Sequence, residues 1–228
     1  MENLDYPSNV KNPSECEEIV DIIEKMSDLS QSQNWKELFK FLDGVTEEVL
    51  KHKDYINHTR LPGDETTQPK LITPLHYASY GKAPKNIIEN LLSLGASKTL
   101  KTAEGQTAYD IAVHMNMPQD TLDILQVPED IRKNEEGIKK MEKGLHETIL
   151  GRSKSLIDKH NMQLPQLSFL YEFGDFWFPI PGMYGGFHVR KCDQGVETES
   201  WCRVAGGSGQ RHLIDREGNV ILTEEGFV

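Results

Sequence analysis

The segment Thr73-Pro-Leu-His-Tyr-Ala78 has a second version, Thr107-Ala-Tyr-Asp-Ile-Ala112, 34 residues further along the chain. A self-similar period of roughly 20 to 50 residues constrains a fold more tightly than composition does. Each copy is then one supersecondary unit that buries its apolar face only against its neighbours. The first copy reads physically as a helix entry. Thr73 suits the N-cap, Pro74 the first helical position, where no amide bond is lost, and Ala78 lets a paired helix come close. An apolar run, Ile87-Ile-Glu-Asn-Leu-Leu92, follows as an outer helix, and Gly95 suits the left-handed turn that ends it.

Thr-Pro-Leu-His, an apolar outer helix and a closing Gly-Ala resemble the ankyrin repeat, whose period is about 33 residues. The second copy departs from that pattern: Ala108 replaces the proline, Asp110 the histidine, and the outer helix from Gln119 to Leu125 lacks Gly-Ala. Upstream, a helix with Trp35, Leu38, Phe39 and Leu42, then Glu48-Val-Leu50 and Tyr55-Ile-Asn-His-Thr-Arg60, resembles a degenerate first repeat, with Leu61 to Lys70 as an enlarged loop. The resemblance covers residues 34–127, about three repeats; an ordinary helical bundle is the competing reading. It implies protein–protein recognition without a cofactor, through loop tips and the exposed face of the inner helices. The motif positions that make contacts in such proteins are Lys70, Tyr80, Lys82, Glu104, Gln106 and His114 here, whereas His76 joins neighbouring repeats by hydrogen bonds. Leu75, Ala78, Ile88 and Leu91 are expected in the core.

Ahead of this region, Ser14 and Glu17 form a capping-box pattern, and Cys16, Ile19, Val20, Ile23 and Met26 then recur at helical spacing. The formal charge of −11 is uneven: residues 1–127 carry 20 acidic and 12 basic side chains, residues 128–228 carry 16 and 13. That balance speaks against a nucleic-acid surface and favours a basic protein partner, with simple solubility as the plain alternative. No apolar run reaches the roughly 20 residues of a membrane helix, and the N-terminus lacks a signal-peptide pattern, so no membrane association is expected. Three cysteines without CxxC spacing fit a reducing, cytoplasmic setting and give no zinc motif.

After Val127-Pro128 the sequence becomes highly charged, and residues 128–144 read as a helical linker, Gly137 and Gly144 weakening the helix. Residues 145–228 read as a separate module: a helix to Asp158, an aromatic, Gly- and Pro-rich stretch, and strands at Gly186 to Lys191, Thr198 to Val204, Arg211 to Asp215 and Val220 to Thr223. Turns at Asp193-Gln-Gly195 and Arg216-Glu-Gly-Asn219 imply an antiparallel meander. The expected fold class is therefore α+β, with an N-terminal all-α ankyrin stack in residues 1–127 and a small C-terminal module on an antiparallel sheet.

Chemistry, if present, would sit at Ser200 to Asp215. The glycines at 206, 207 and 209 could offer amides to a phosphate flanked by Arg203 and Arg211, or simply shape a wide turn. Ser208, His212 and Asp215 supply the residue types of a hydrolase triad, and Cys202 with His212 those of a thiol pair, but in an extended strand His212 faces away from Asp215. His188 and His212 on one sheet face would be a metal pair without an evident third ligand, or a polar pair on a wet face. Trp177, Phe178, Tyr184, Phe187 and Trp201 are either an exposed recognition patch or core. Three functions stay open: an adaptor or scaffold, a protein that neutralises a basic toxin or nuclease, and an enzyme with its site at the Gly-rich segment.

Overall fold

The computed structural model describes residues 4–8, 17–44, 53–60, 70–202 and 208–226. Two compact units emerge, Ser14–Val127 and a second made of Met1–Pro13 with Pro128–Val228. Among the described residues no helix is long and apolar enough to cross a membrane.

The first unit is helical among its described residues: α1 (Glu17–Gln31), α2 (Trp35–Gly44), a 3-10 turn at Lys53–Asn57, α3 (Pro74–Tyr80), α4 (Lys85–Ser93), α5 (Ala108–His114) and α6 (Gln119–Leu125). Leu38, Leu75, Ala78, Ile88, Leu91, Ala112 and Leu125 are all fully buried in one cluster. Small residues where α3 and α5 meet, Ala78, Ala108 and Ala112, allow a close approach. Lys85 of α4 and Asp120 of α6 pair at 3.3 Å.

The second unit holds β1 (Leu4–Asp5), α7 (Glu129–Lys133), α8 (Glu135–His160), α9 (Ser168–Phe173), β2 (Phe176–Ile180), β3 (Gly185–Cys192), β4 (Gly195–Cys202), β5 (Ser208–Asp215) and β6 (Val220–Gly226). The strands form one sheet in sequence order, antiparallel from β2 to β6, with β1 added in parallel at the β2 edge. Ile138, Met141, Leu145 and Ile149 make the buried stripe of α8. Gly144 sits in that stripe because the sheet comes up to the helix there: a Cβ would lie 2.7 Å from the Gly218 carbonyl and 2.8 Å from Ile214 Cγ2. The helix leaves regular geometry at Ser153, whose hydroxyl donates back to the Ile149 carbonyl at 2.7 Å.

The chain is α+β overall, but the expected arrangement needs three corrections. The sheet is mixed and six-stranded, because the N-terminus supplies β1. Tyr6 anchors it, its ring packing 5.2–5.9 Å from Phe169, Phe176 and Phe178. The N-terminal part is accordingly not all-α. Nor is an ankyrin stack of three repeats shown. The expected first outer helix at 48–50 and most of the enlarged loop lie outside the described residues, and Lys53–Asn57 is a 3-10 turn. Residues 128–144, expected as a linker, form α7 and the start of α8 and pack with the sheet unit.

Strand β2 was hidden by Pro179, which removes a ladder donor. The Trp177 carbonyl accepts the Tyr6 N–H at 2.7 Å, so Trp177, and by alternation Pro179, direct their backbone polar groups to the β1 side. The short β1 reaches only Phe176 and Trp177, so the missing donor of Pro179 costs no ladder bond. Both expected turns occur. Gly195 has φ of 151°, and Asp215 caps the 216–219 turn by accepting from the Asn219 N–H at 2.8 Å and the Glu217 N–H at 3.0 Å.

Candidate functional site

In the first unit the two sequence copies build the same helix entry with different chemistry. His76 Nδ1 accepts the Thr73 N–H at 3.1 Å, which makes Nε2 the protonated nitrogen, and Nε2 donates to the Leu100 carbonyl at 3.1 Å. Burial pushes this imidazole down to about 4, so it is neutral at pH 7. In the second copy the Asp110 carboxylate replaces the ring, accepting the Thr107 N–H at 2.8 Å and its hydroxyl at 2.7 Å. A carboxylate therefore serves the cap but makes no reach to a following turn. Buried Asn57, which the sequence did not single out, makes a comparable link: its Nδ2 donates to the Gly95 carbonyl at 2.9 Å and its Oδ1 accepts the Ser97 N–H at 2.7 Å.

Four of the six candidate contact residues come together. The Tyr80 hydroxyl donates to Gln106 Oε1 at 3.3 Å, joining the end of α3 to the turn before α5. Burial, then the nearby Glu104 carboxylate, pushes this phenol up, although the side chain is still 38 % exposed. The Lys70 carbonyl accepts the Ala103 N–H at 3.0 Å and brings Lys70 beside the turn that carries Glu104. Lys82 (φ 51°) and His114 stand exposed at the C-terminal ends of α3 and α5.

The second unit does not gather the residues of the Gly-rich segment. Arg203 and the glycines at 206 and 207 lie outside the described residues. Register places Cys202, Ser208 and His212 on the face that packs on α8, and Arg211 on the opposite face. Ser208 and His212 are four residues apart along β5, roughly 13 Å at 3.3 Å per residue, far beyond the roughly 3 Å reach of a nucleophile and its base. Asp215 faces the other way and is committed to its turn. The same alternation puts His188 and His212 on opposite faces. Among the described residues no group of three or more His, Cys, Asp or Glu side chains could hold a metal ion.

Arg152 of α8, unremarked in the sequence, is what reaches Ser208: its Nη2 donates to the Ser208 hydroxyl at 3.1 Å and to the Ser208 carbonyl at 3.2 Å. Burial, then the Arg152 charge, holds the His212 imidazole below its ordinary value. The Cys202 thiol donates to the Met183 carbonyl at 2.7 Å. Arg211, on the open face, is taken up by carboxylates. Its Nη2 meets Glu199 at 2.6 Å and its Nη1 meets Glu224 at 2.8 Å, while Arg190 pairs with Glu197 and with Glu199 at 3.3 Å. Neither arginine is left for a phosphate.

The aromatics divide between the two faces. Phe178 and Phe187 are core, whereas Trp177 and Trp201 stack on the open face with ring centroids 4.7 Å apart. The sequence matches no protein-family model and no curated protein.

Proposed function

We propose that this protein works by binding another protein, through the surface that Lys70, Tyr80, Lys82, Glu104, Gln106 and His114 form on the first unit. The observation that carries the reading is the Tyr80–Gln106 hydrogen bond, which holds an exposed aromatic ring between the two sequence copies. Aromatic side chains in such settings dominate protein interfaces, because they offer large contact area at little cost in conformational entropy. The resemblance of residues 34–127 to the ankyrin repeat supports the same reading, since members of that family bind proteins with these positions. The excess of acidic over basic residues in 1–127 favours a basic partner. Cys192 and Cys202 are free thiols, which suits the reducing cytoplasm.

The test is a photo-activatable cross-linking side chain placed at Lys82 and, as a control, at exposed Lys159 of α8. After irradiation in the cells of origin, the adducts are identified by mass spectrometry. A defined protein attached at position 82 and not at 159 supports the reading. Identical adducts from both positions overturn it, and a captured toxin or nuclease makes the activity neutralisation.

A further inference from the structure

The face of the sheet opposite α8 has two chemically distinct halves. At one end Trp177 and Trp201 stack with their planes inclined 28°. Gly186, which pairs with both Pro179 and Trp201, makes that stack possible: a Cβ there would lie 2.8 Å from Trp177 Cζ2. Trp201 is 38 % exposed, and Tyr184, in the turn that enters β3, is 76 % exposed and held at a φ of 52°. An L-residue in the left-handed region with its aromatic ring in water is costly in both respects.

Further along the same face lies a cavity of about 400 Å³ lined by Asp193, Glu197, Glu224, Arg211 and Leu213. Carboxylates outnumber the cation three to one in that lining, and Arg211 already serves Glu199 and Glu224. Arg190 beside it pairs with Glu197 and Glu199, so Glu197, Glu199 and Glu224 share two cations, Arg190 and Arg211, and Asp193 adds a further carboxylate. An anion entering the cavity would find both of those guanidinium groups already engaged, whereas an incoming guanidinium or ammonium would meet the surplus of carboxylates. Trp201 and Glu197 are four residues apart on β4, roughly 13 Å at 3.3 Å per residue.

We propose that this open face is a second recognition surface, for an extended peptide segment of a partner protein that lays proline on the Trp177–Trp201 stack and seats arginine or lysine in the Glu197 cavity. Proline rings pack flat on indoles, and a polyproline II segment is already extended, so it gives up little entropy on binding. At about 3.1 Å per residue such a segment crosses the interval in about four residues, which fixes the spacing of the two anchors. The charge of the cavity selects a basic anchor and rejects phosphate-bearing ligands. This surface belongs to the sheet unit, so it stands or falls independently of the Tyr80 surface.

The experiment is calorimetric titration of the full chain with a synthetic Gly-Pro-Pro-Ala-Ala-Ala-Arg-Gly peptide, alongside versions with arginine replaced by glutamate and with both prolines replaced by alanine. The parent peptide should bind saturably in the micromolar range, and each replacement should weaken it by about tenfold or more. Trp201→Phe should keep most of the affinity, Trp201→Ala should lose it, and Glu197→Gln should weaken the arginine peptide selectively. Chemical shifts of the Trp177 and Trp201 indole N–H groups in the unmodified protein give a readout that needs no variant. The proposal is overturned by absence of saturable binding, by equal affinity for the glutamate peptide, or by indole resonances that stay unmoved. Preference for an oligosaccharide or oligonucleotide over the peptide would overturn it as well.

Discussion

The hydroxyl of Tyr6 accepts the backbone N–H of Gln166 at 2.9 Å, across 160 residues of chain. Around that bond the Tyr6 ring contacts Phe169, Phe176 and Phe178, and β1 joins the sheet beside β2. A two-residue strand has too few ladder bonds to hold itself in place, so the buried ring must do it. Tyr6→Ala should therefore destabilise the sheet unit by roughly 3–5 kcal/mol, by analogy with other buried aromatic truncations. Tyr6→Phe, which removes only the hydrogen bond, should cost about 1 kcal/mol. Denaturant melts followed by hydrogen exchange at the β2 amides would read both, and unchanged protection in Tyr6→Ala would show that the N-terminus is not part of this core.

Gly144 gives a prediction opposite in sign to helix propensity. In a solvent-facing helix, Gly→Ala gains about 1 kcal/mol. Here the new methyl would meet the Gly218 carbonyl at 2.7 Å, and that atom is backbone, unable to swing aside. Gly144→Ala should lower the stability of the sheet unit by roughly 1–3 kcal/mol, as overpacked cores do. A higher melting temperature in the variant would refute this packing.

These two residues show why part of the fold was hidden in the sequence. Period-two patterning and turn chemistry act over a few residues, so β3 to β6, the Gly195 turn and the Asp215 turn were legible. Helix α3 was legible too, through Thr73 and Pro74. Strand β1 has no such local signature: its partner is more than 170 residues away, and a single tyrosine among Asn, Ser and Pro says nothing about where it will dock. Gly144 looked like a weakness because the surface that requires it arrives from β5 and β6. At the candidate sites, alternation already separated His212 from Asp215. Arg211 and Ser208, three residues apart, are opposed by the same alternation once β5 begins at Ser208, but that start and the carboxylates of β4 and β6 that occupy Arg211 had no local signal. Asn57 and Arg152 carried no motif at all.

Acid should act on the first unit through two histidines. Burial pushes His58 and His76 each down to about 4 from the ordinary 6.5. In the unfolded chain both take up protons near 6.5, so unfolding binds protons below that pH. Their contribution is complete above about pH 6.5 and is lost as the pH falls from there towards 4, at about 1.4 kcal/mol per pH unit for each histidine. Denaturant melts at pH 7.5, 6.5, 5.5 and 4.5 should trace that decline, and His58→Gln should roughly halve its slope. A stability flat between pH 6.5 and 4.5 would mean that the two imidazoles are not buried as neutral groups.

Folding and recognition should separate cleanly within α3. Leu75 is fully buried, whereas Tyr80 and Lys82 lie at the exposed end of the helix. Truncating Leu75 leaves a cavity in the cluster that includes Ala78, Ile88 and Leu91, and Leu75→Ala should cost roughly 2–5 kcal/mol. It should reduce partner capture only by depleting folded protein. Tyr80→Ala forfeits one exposed hydrogen bond to Gln106, and Lys82→Ala keeps a non-glycine residue at the same positive φ, so neither the backbone strain nor the core changes. The double variant should melt within about 0.5 kcal/mol of the parent and still lose most of its capture. Co-precipitation of the cross-linked partner with each variant, beside thermal melts, checks both halves. If Tyr80→Ala with Lys82→Ala captures the partner as well as the parent does, while Trp201→Ala abolishes capture, recognition belongs to the open face of the sheet.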